Sequence, residues 1–155
     1  MRLAFLMIVG GLALCTNADA DVAPPLSPRE ATISNKALVT EMFQKMFVEK
    51  KVDKYADTYL APDFIEHDPA SQNGTKALKA FFKDFNKLHP NAITTVKHIA
   101  ADGDLVFVYF HGQNDAKDRG VAGVDIFRVA NGRIVEHWDV LQPIPEKSAN
   151  DNTMF

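Results

Sequence analysis

Pro90 divides the chain into two hydrophobic rhythms. Beyond it, apolar and polar residues alternate in four strand-like runs: "ITTVKHIA", "LVFVYFHG", "VAGVDIFRV" and "RIVEHWDVL". Asp102-Gly103, the stretch "QNDAKDRG" and Asn131-Gly132 separate them as turns. Before Pro90 the period is helical. Leu38, Met42 and Met46 stand beside Val39, Phe43 and Phe47 as two i,i+4 columns. Leu78, Phe81, Phe82, Phe85 and Leu88 form a second stripe between Thr75 and Leu88. Ser27-Pro28-Arg29-Glu30 has capping-box form, although the firmer helix starts near Ser34. Asp53 caps a short helix holding Tyr55 and Tyr59 and closed by Pro62, and "DFIEHDP" reads as a brief strand ending in a turn. Helices followed by long antiparallel strands make an α+β fold. A strongly curved sheet wrapped around the N-terminal helices buries these Phe-rich stripes. Its concave side leaves a cone-shaped cavity, the default place for a ligand.

The N-terminus reads as a secretory signal peptide over residues 1–20. Arg2 is the basic region, Leu3 to Leu14 the apolar run, and Ala18-Asp19-Ala20 a small-x-small cleavage site. The apolar run is too short for a bilayer, which needs about 20 residues. Cleavage after Ala20 removes Cys15, the only cysteine, so the expected location is periplasmic or secreted, without disulfides. Acylation of Cys15 is the weaker alternative, because Leu14 stands where a small residue is usual. Residues 21–33 are a Pro-rich leader, 34–145 the domain, and 146–155 a tail whose Met154 and Phe155 can pack back on a neighbour. A net charge of −3 without a Lys/Arg stripe argues against nucleic acid, and against a membrane after signal cleavage.

"VDIFRVANGRIVEHWDV" carries Asp125, Glu136, His137 and Asp139 among strand-forming residues. Two registers are open. A two-residue loop at Asn131-Gly132 sets Ala130 against Arg133 and Asp125 against Trp138. A three-residue loop with a glycine bulge sets Val129 against Arg133 and Asp125 against His137. The second, which is favoured, gathers Asp125, Phe127, Val135, His137, Asp139 and Leu141 on one face. Val124, Ile126, Ile134, Trp138 and Val140 lie on the other, an apolar surface expected to form a homodimer.

That hairpin, "FIEHDP" upstream and the helices-then-strands order resemble the SnoaL-like polyketide cyclases of the nuclear transport factor 2-like superfamily. The resemblance covers most of residues 34–155. It implies the cone fold, no metal or cofactor, and a His-x-Asp pair on the last long strand whose Asp is the general acid/base. Those roles fall on His137 and Asp139. Gly123 and Asp125 stand where the cyclases hold Gln and His, so substrate and reaction need not be shared.

An aldol closure needs a base beside a carbonyl and an acid for the new alkoxide. One carboxylate does both if an apolar wall or a second carboxylate, here Asp125, lifts its pKa. His137 and His111 are candidate donors to the enolate oxygen, Tyr109 and Phe127 candidate substrate contacts, and His67 a candidate for the cavity mouth. Blander roles exist for each polar group. Asp139 could pair with Arg128 or Arg133 on a wet face, His111 could bond within its loop, and His67 could cap the turn at Asp68-Pro69. The His residues lack metal-ligand spacing. Three classes remain for a site that takes a small hydrophobic molecule: a cofactor-free cyclase or isomerase, an epoxide-hydrolase-type enzyme, and a non-catalytic binding protein.

Overall fold

The computed structural model describes residues 25–155; the expected signal peptide and Cys15 lie outside them. Helix α1 (Pro28–Phe43) starts inside the expected leader because Ser27 closes a full capping box with Glu30. Ser27 N donates to the Glu30 carboxylate at 2.9 Å, and Pro28 occupies the first turn, where a missing N–H costs nothing. The helix widens into a π-helical turn, Gln44–Val48. Next come α2 (Val52–Tyr59), β1 (Leu60–Glu66) and α3 (Thr75–Leu88). Strands β2 (Ile93–Asp102), β3 (Leu105–Gln113), β4 (Val121–Ala130) and β5 (Arg133–Pro143) complete the chain.

The five strands form one curved sheet in the order β1-β5-β4-β3-β2. All its pairings are antiparallel except β1 with β5, which run parallel. The fold is thus the expected α+β arrangement of helices against a curved sheet. Val39, Met42, Phe43 and Met46 pack on Val106, Val108, Phe127, Val129 and Ile134, all buried. Burying each such side chain is worth about 1.5–3 kcal/mol, so this contact anchors the helices to the concave face. In β3 the alternation is clean. Val106 and Val108 point inward, while Leu105, Phe107, Tyr109 and His111 share the outer face.

The β4–β5 turn follows neither expected register throughout. Asn131 (φ 52°) and Gly132 (φ 70°) make a two-residue loop, with Ala130 opposite Arg133 and Val129 opposite Ile134. The ladder then slips: Arg128 faces Glu136, so Val135 is an extra residue without a partner. Beyond this bulge Phe127 faces His137, and Asp125 faces Asp139 rather than Trp138 or His137. The favoured grouping of Asp125, Phe127, His137, Asp139 and Leu141 therefore stands, produced by a bulge at Val135 and not by one in the turn. Ile134, expected on the outer face, is fully buried in the core, because the bulge falls after it.

On the outer face, Trp138 stacks on His67 with centroids 4.5 Å apart, and Arg128 lies over the same ring. The tail folds back as its apolar end suggests. Tyr109 donates its hydroxyl hydrogen to Met154 O, and Phe155 packs on Tyr109 and His111.

Gly123 is required by a close approach. A Cβ there would collide with the Phe110 ring and stand 2.9 Å from Leu141 Cδ2. Phe110, reaching across from β3, fills the space that a side chain at position 123 would need. Gly123→Ala is expected to destabilise the protein by about 1–3 kcal/mol in urea unfolding, the usual cost of overpacking. Gly123→Ala combined with Phe110→Ala should show a smaller loss than the sum of the two single changes. Additive losses would contradict the contact.

Candidate functional site

Between the helices and the concave face lies a cavity of about 310 Å³. Phe43, Phe47, Phe81, Phe82 and Phe85 line it from the helical side, and Phe64, Phe110 and Phe127 from the sheet. Helix α3 contributes its stripe to this wall but buries only Thr75 fully, leaving Phe81 half exposed. The stripe predicted to be core is therefore largely cavity lining. The polar residues of one part of the lining are Glu66, Asp68, Asp125, His137 and Asp139.

Two strand pairings assemble that group. The parallel register sets Glu66 beside His137, and the slipped antiparallel register sets Asp125 opposite Asp139. His137 Nδ1 lies 2.8 Å from Glu66 Oε1, a donor–acceptor pair whose carboxylate side chain is only 3% exposed. Glu66 is itself held: Asp68 N donates to Oε1 at 3.0 Å, and Glu66 N donates to Asn73 Oδ1 at 2.8 Å. His137 Nε2 stands 3.7 Å from Asp125 Oδ1, close enough for ion pairing and too far for a hydrogen bond. The imidazole packs between Phe64 and Phe127.

These surroundings set the charges. Desolvation opposes the protonated imidazole, yet Asp125 and Glu66 together outweigh it and push His137 up to about 10. Burial raises the Asp125 carboxyl, with His137 pulling the other way. Asp139 is also raised, first by burial and then by the charge of Asp68. Among the described residues Asp139 has no hydrogen-bond or ion-pair partner, while Arg128 is engaged by Asp104 and Glu136. Arg133 is committed as well, donating to the carbonyls of Asp57 and Leu60.

Of the residues singled out in the sequence, Asp125, Phe127, His137 and Asp139 come together at the cavity. His111, Tyr109 and His67 do not line it. His111 Nε2 bonds Arg119 O at 2.8 Å, Tyr109 bonds the tail, and His67 Nε2 lies 3.4 Å from Glu136 Oε1. Strand alternation puts His111 and Tyr109 on one face, and that face is the outer one. Glu66 and Asp68 are cavity residues that the sequence reading does not include. A signal was available, since an inward Phe64 in "DFIEHDP" makes Glu66 inward and His67 outward. Among the described residues, no group of three His, Cys, Asp or Glu side chains is arranged to hold a metal ion.

A family model described as the SnoaL-like domain matches residues 19–137. The chain belongs to the SnoaL-like family. The match ends at His137, two residues before Asp139. Among solved structures, this SnoaL-like chain is similar to a candidate polyketide cyclase from Bacillus cereus, at 25% identity and a TM-score of 0.60. That match covers 75% of this chain and 78% of the other. A candidate ketosteroid isomerase from Kribbella flavida is 19% identical with a TM-score of 0.62, over 77% of this chain and 85% of that one. A candidate polyketide cyclase from Acidithiobacillus ferrooxidans is 19% identical with a TM-score of 0.59, over 70% and 87%. Among proteins of curated function, none matches this sequence. At such identities the structural matches show the fold alone. Family and fold point to a cyclase or isomerase type of activity.

In this SnoaL-like site His137 should remain protonated through neutral pH. Its folded pKa of about 10 lies above the ordinary value of about 6.5. The stability it contributes is therefore fully present below about pH 6.5 and is lost as pH rises toward 10. An NMR titration should show no His137 transition near neutrality in the native protein. Glu66→Gln, which removes the charge at Nδ1, should bring the transition down. A native midpoint near 6.5 would contradict the ion pairing.

Proposed function

We propose that this SnoaL-like protein is an exported, cofactor-free enzyme of cyclase or isomerase type that acts on a small hydrophobic carbonyl compound, with Asp139 as its general acid/base. The observation that carries this reading is Asp139 itself, a carboxylate unpaired among the described residues, with a raised pKa, at the polar part of a Phe-lined cavity. Such a group suits proton transfer near neutral pH better than an ordinary surface aspartate does.

The steps follow from the neighbours. The Asp139 carboxylate takes a proton from carbon next to the substrate carbonyl, and the electron pair of that C–H bond moves to the carbonyl oxygen as an enolate. His137, cationic beside Glu66 and with Nε2 free of a hydrogen bond among the described residues, offers positive charge and a hydrogen bond to that oxygen. In an isomerisation, Asp139 returns its proton to a second carbon. In a cyclisation, the enolate carbon attacks a second carbonyl, and the resulting alkoxide takes the proton. Glu66 takes no part in these proton transfers. It positions His137 and maintains its charge.

The reading can be tested without the natural substrate. Apolar cyclic ketones in deuterated water should exchange α-protons faster in the presence of the protein. Asp139→Asn should slow this catalysed exchange by roughly 10²–10⁴-fold, the range that general acid/base catalysis supplies, while thermal unfolding stays cooperative. Exchange at the native rate in the folded variant would remove Asp139 from the role.

A further inference from the structure

The charged part of the cavity is unbalanced. Among the described lining residues none is Lys or Arg, while Glu66, Asp68, Asp125 and Asp139 all border the space. The positive charge of His137 is already shared by Glu66 at 2.8 Å and Asp125 at 3.7 Å. That leaves the carboxylates in excess whichever of them carries a proton. Asp125 is nine-tenths buried and makes no hydrogen bond among the described residues, so it borders the cavity with acceptor capacity unused. Asp139 is likewise without a partner. The hydroxyl of Ser71, also in the lining, is already donated to Asp68 at 2.9 Å. Glu66 and Asp68 are fixed by their own hydrogen bonds and cannot swing away from an anion without breaking them.

We propose that the ligand of this cavity is an apolar molecule that carries, besides its carbonyl, a neutral or cationic hydrogen-bond donor such as a hydroxyl or an ammonium group, and that carboxylate-bearing molecules are excluded. This rests on the reading of the cavity as the ligand site and specifies what enters it. A donor satisfies the unused acceptors of Asp125 and Asp139. An ammonium also neutralises the excess charge and finds aromatic faces in the adjoining wall. A carboxylate meets like charges in a partly dehydrated space, with no arginine or lysine among the described lining residues to answer it.

Three probes with one ring system separate the possibilities: 2-naphthylmethylamine, 2-naphthylmethanol and 2-naphthoate, titrated calorimetrically at pH 7. The amine and the alcohol should each bind at least about tenfold more tightly than the naphthoate. Asp68→Asn and Asp139→Asn should narrow that gap by weakening the amine and admitting the naphthoate. An amine that outbinds the alcohol at low salt, with the difference shrinking at high salt, identifies the ammonium as the preferred donor. A naphthoate that binds as well as the alcohol overturns the proposal, and so does absence of binding by all three. The acid/base reading fails separately. If ketone exchange depends on Asp139 while naphthoate binds best, only the ligand class is wrong. If the probe order holds while Asp139→Asn leaves exchange unchanged, only the acid/base role is wrong.

Discussion

One unpaired residue, Val135, decides what the last hairpin can do. In an unbroken ladder from the Ala130–Arg133 pair, the partners of Val129, Phe127 and Asp125 would be Ile134, Glu136 and Trp138. The inward face of β5 would then carry Trp138, while His137 and Asp139 faced outward. The slip after Ile134 changes the parity of the strand. It keeps Ile134 in the core and turns His137 and Asp139 toward the cavity, with Glu136 and Trp138 outside. The outer pair are put to use there, Glu136 with Arg128 and Trp138 with His67. A single inserted position thus reconciles a hydrophobic anchor at one end of β5 with an ionisable site along its middle.

The second constraint is the parallel seam between β1 and β5, which brings Glu66 to His137. A buried imidazolium would be costly alone, and two buried carboxylates would be costly alone. Together Glu66, His137 and Asp125 compensate one another, with the surrounding Phe64 and Phe127 limiting the access of water. Asp139 stands outside this compensation. It shares the low-dielectric wall but, among the described residues, has no cation committed to it, which separates its chemistry from that of Asp125 across the ladder.

Local signals made much of the fold legible. The Ser27 capping box, the two-residue turn at Asn131-Gly132 and the alternation of β3 all lie within a few residues of the structure they specify. Two features of the site do not. Val135 is a β-branched apolar residue like Ile134 before it, so nothing in its side chain marks it as the bulged position. Glu66 meets His137 across 71 residues through a parallel pairing, for which "FIEHDP" holds no local counterpart. Alternation also cannot tell the concave face of a strand from the convex one. It groups His111 with Tyr109 but does not say which way they face; Phe110 between them lines the cavity and the C-terminal tail packs on their own face. The missing Cβ at Gly123 belongs to the same problem, since its reason is a ring supplied by the neighbouring strand.

The central claim is that the bulge places the ionisable residues of the last strand in the cavity. Cross-strand backbone NOEs in the isotopically labelled protein test it most directly, because they report the register residue by residue. The account predicts contacts that pair Ala130 with Arg133 and Val129 with Ile134, then Phe127 with His137 and Asp125 with Asp139. Contacts that pair Asp125 with Trp138 would show an unbroken ladder, turn His137 and Asp139 to the outer face, and contradict the site.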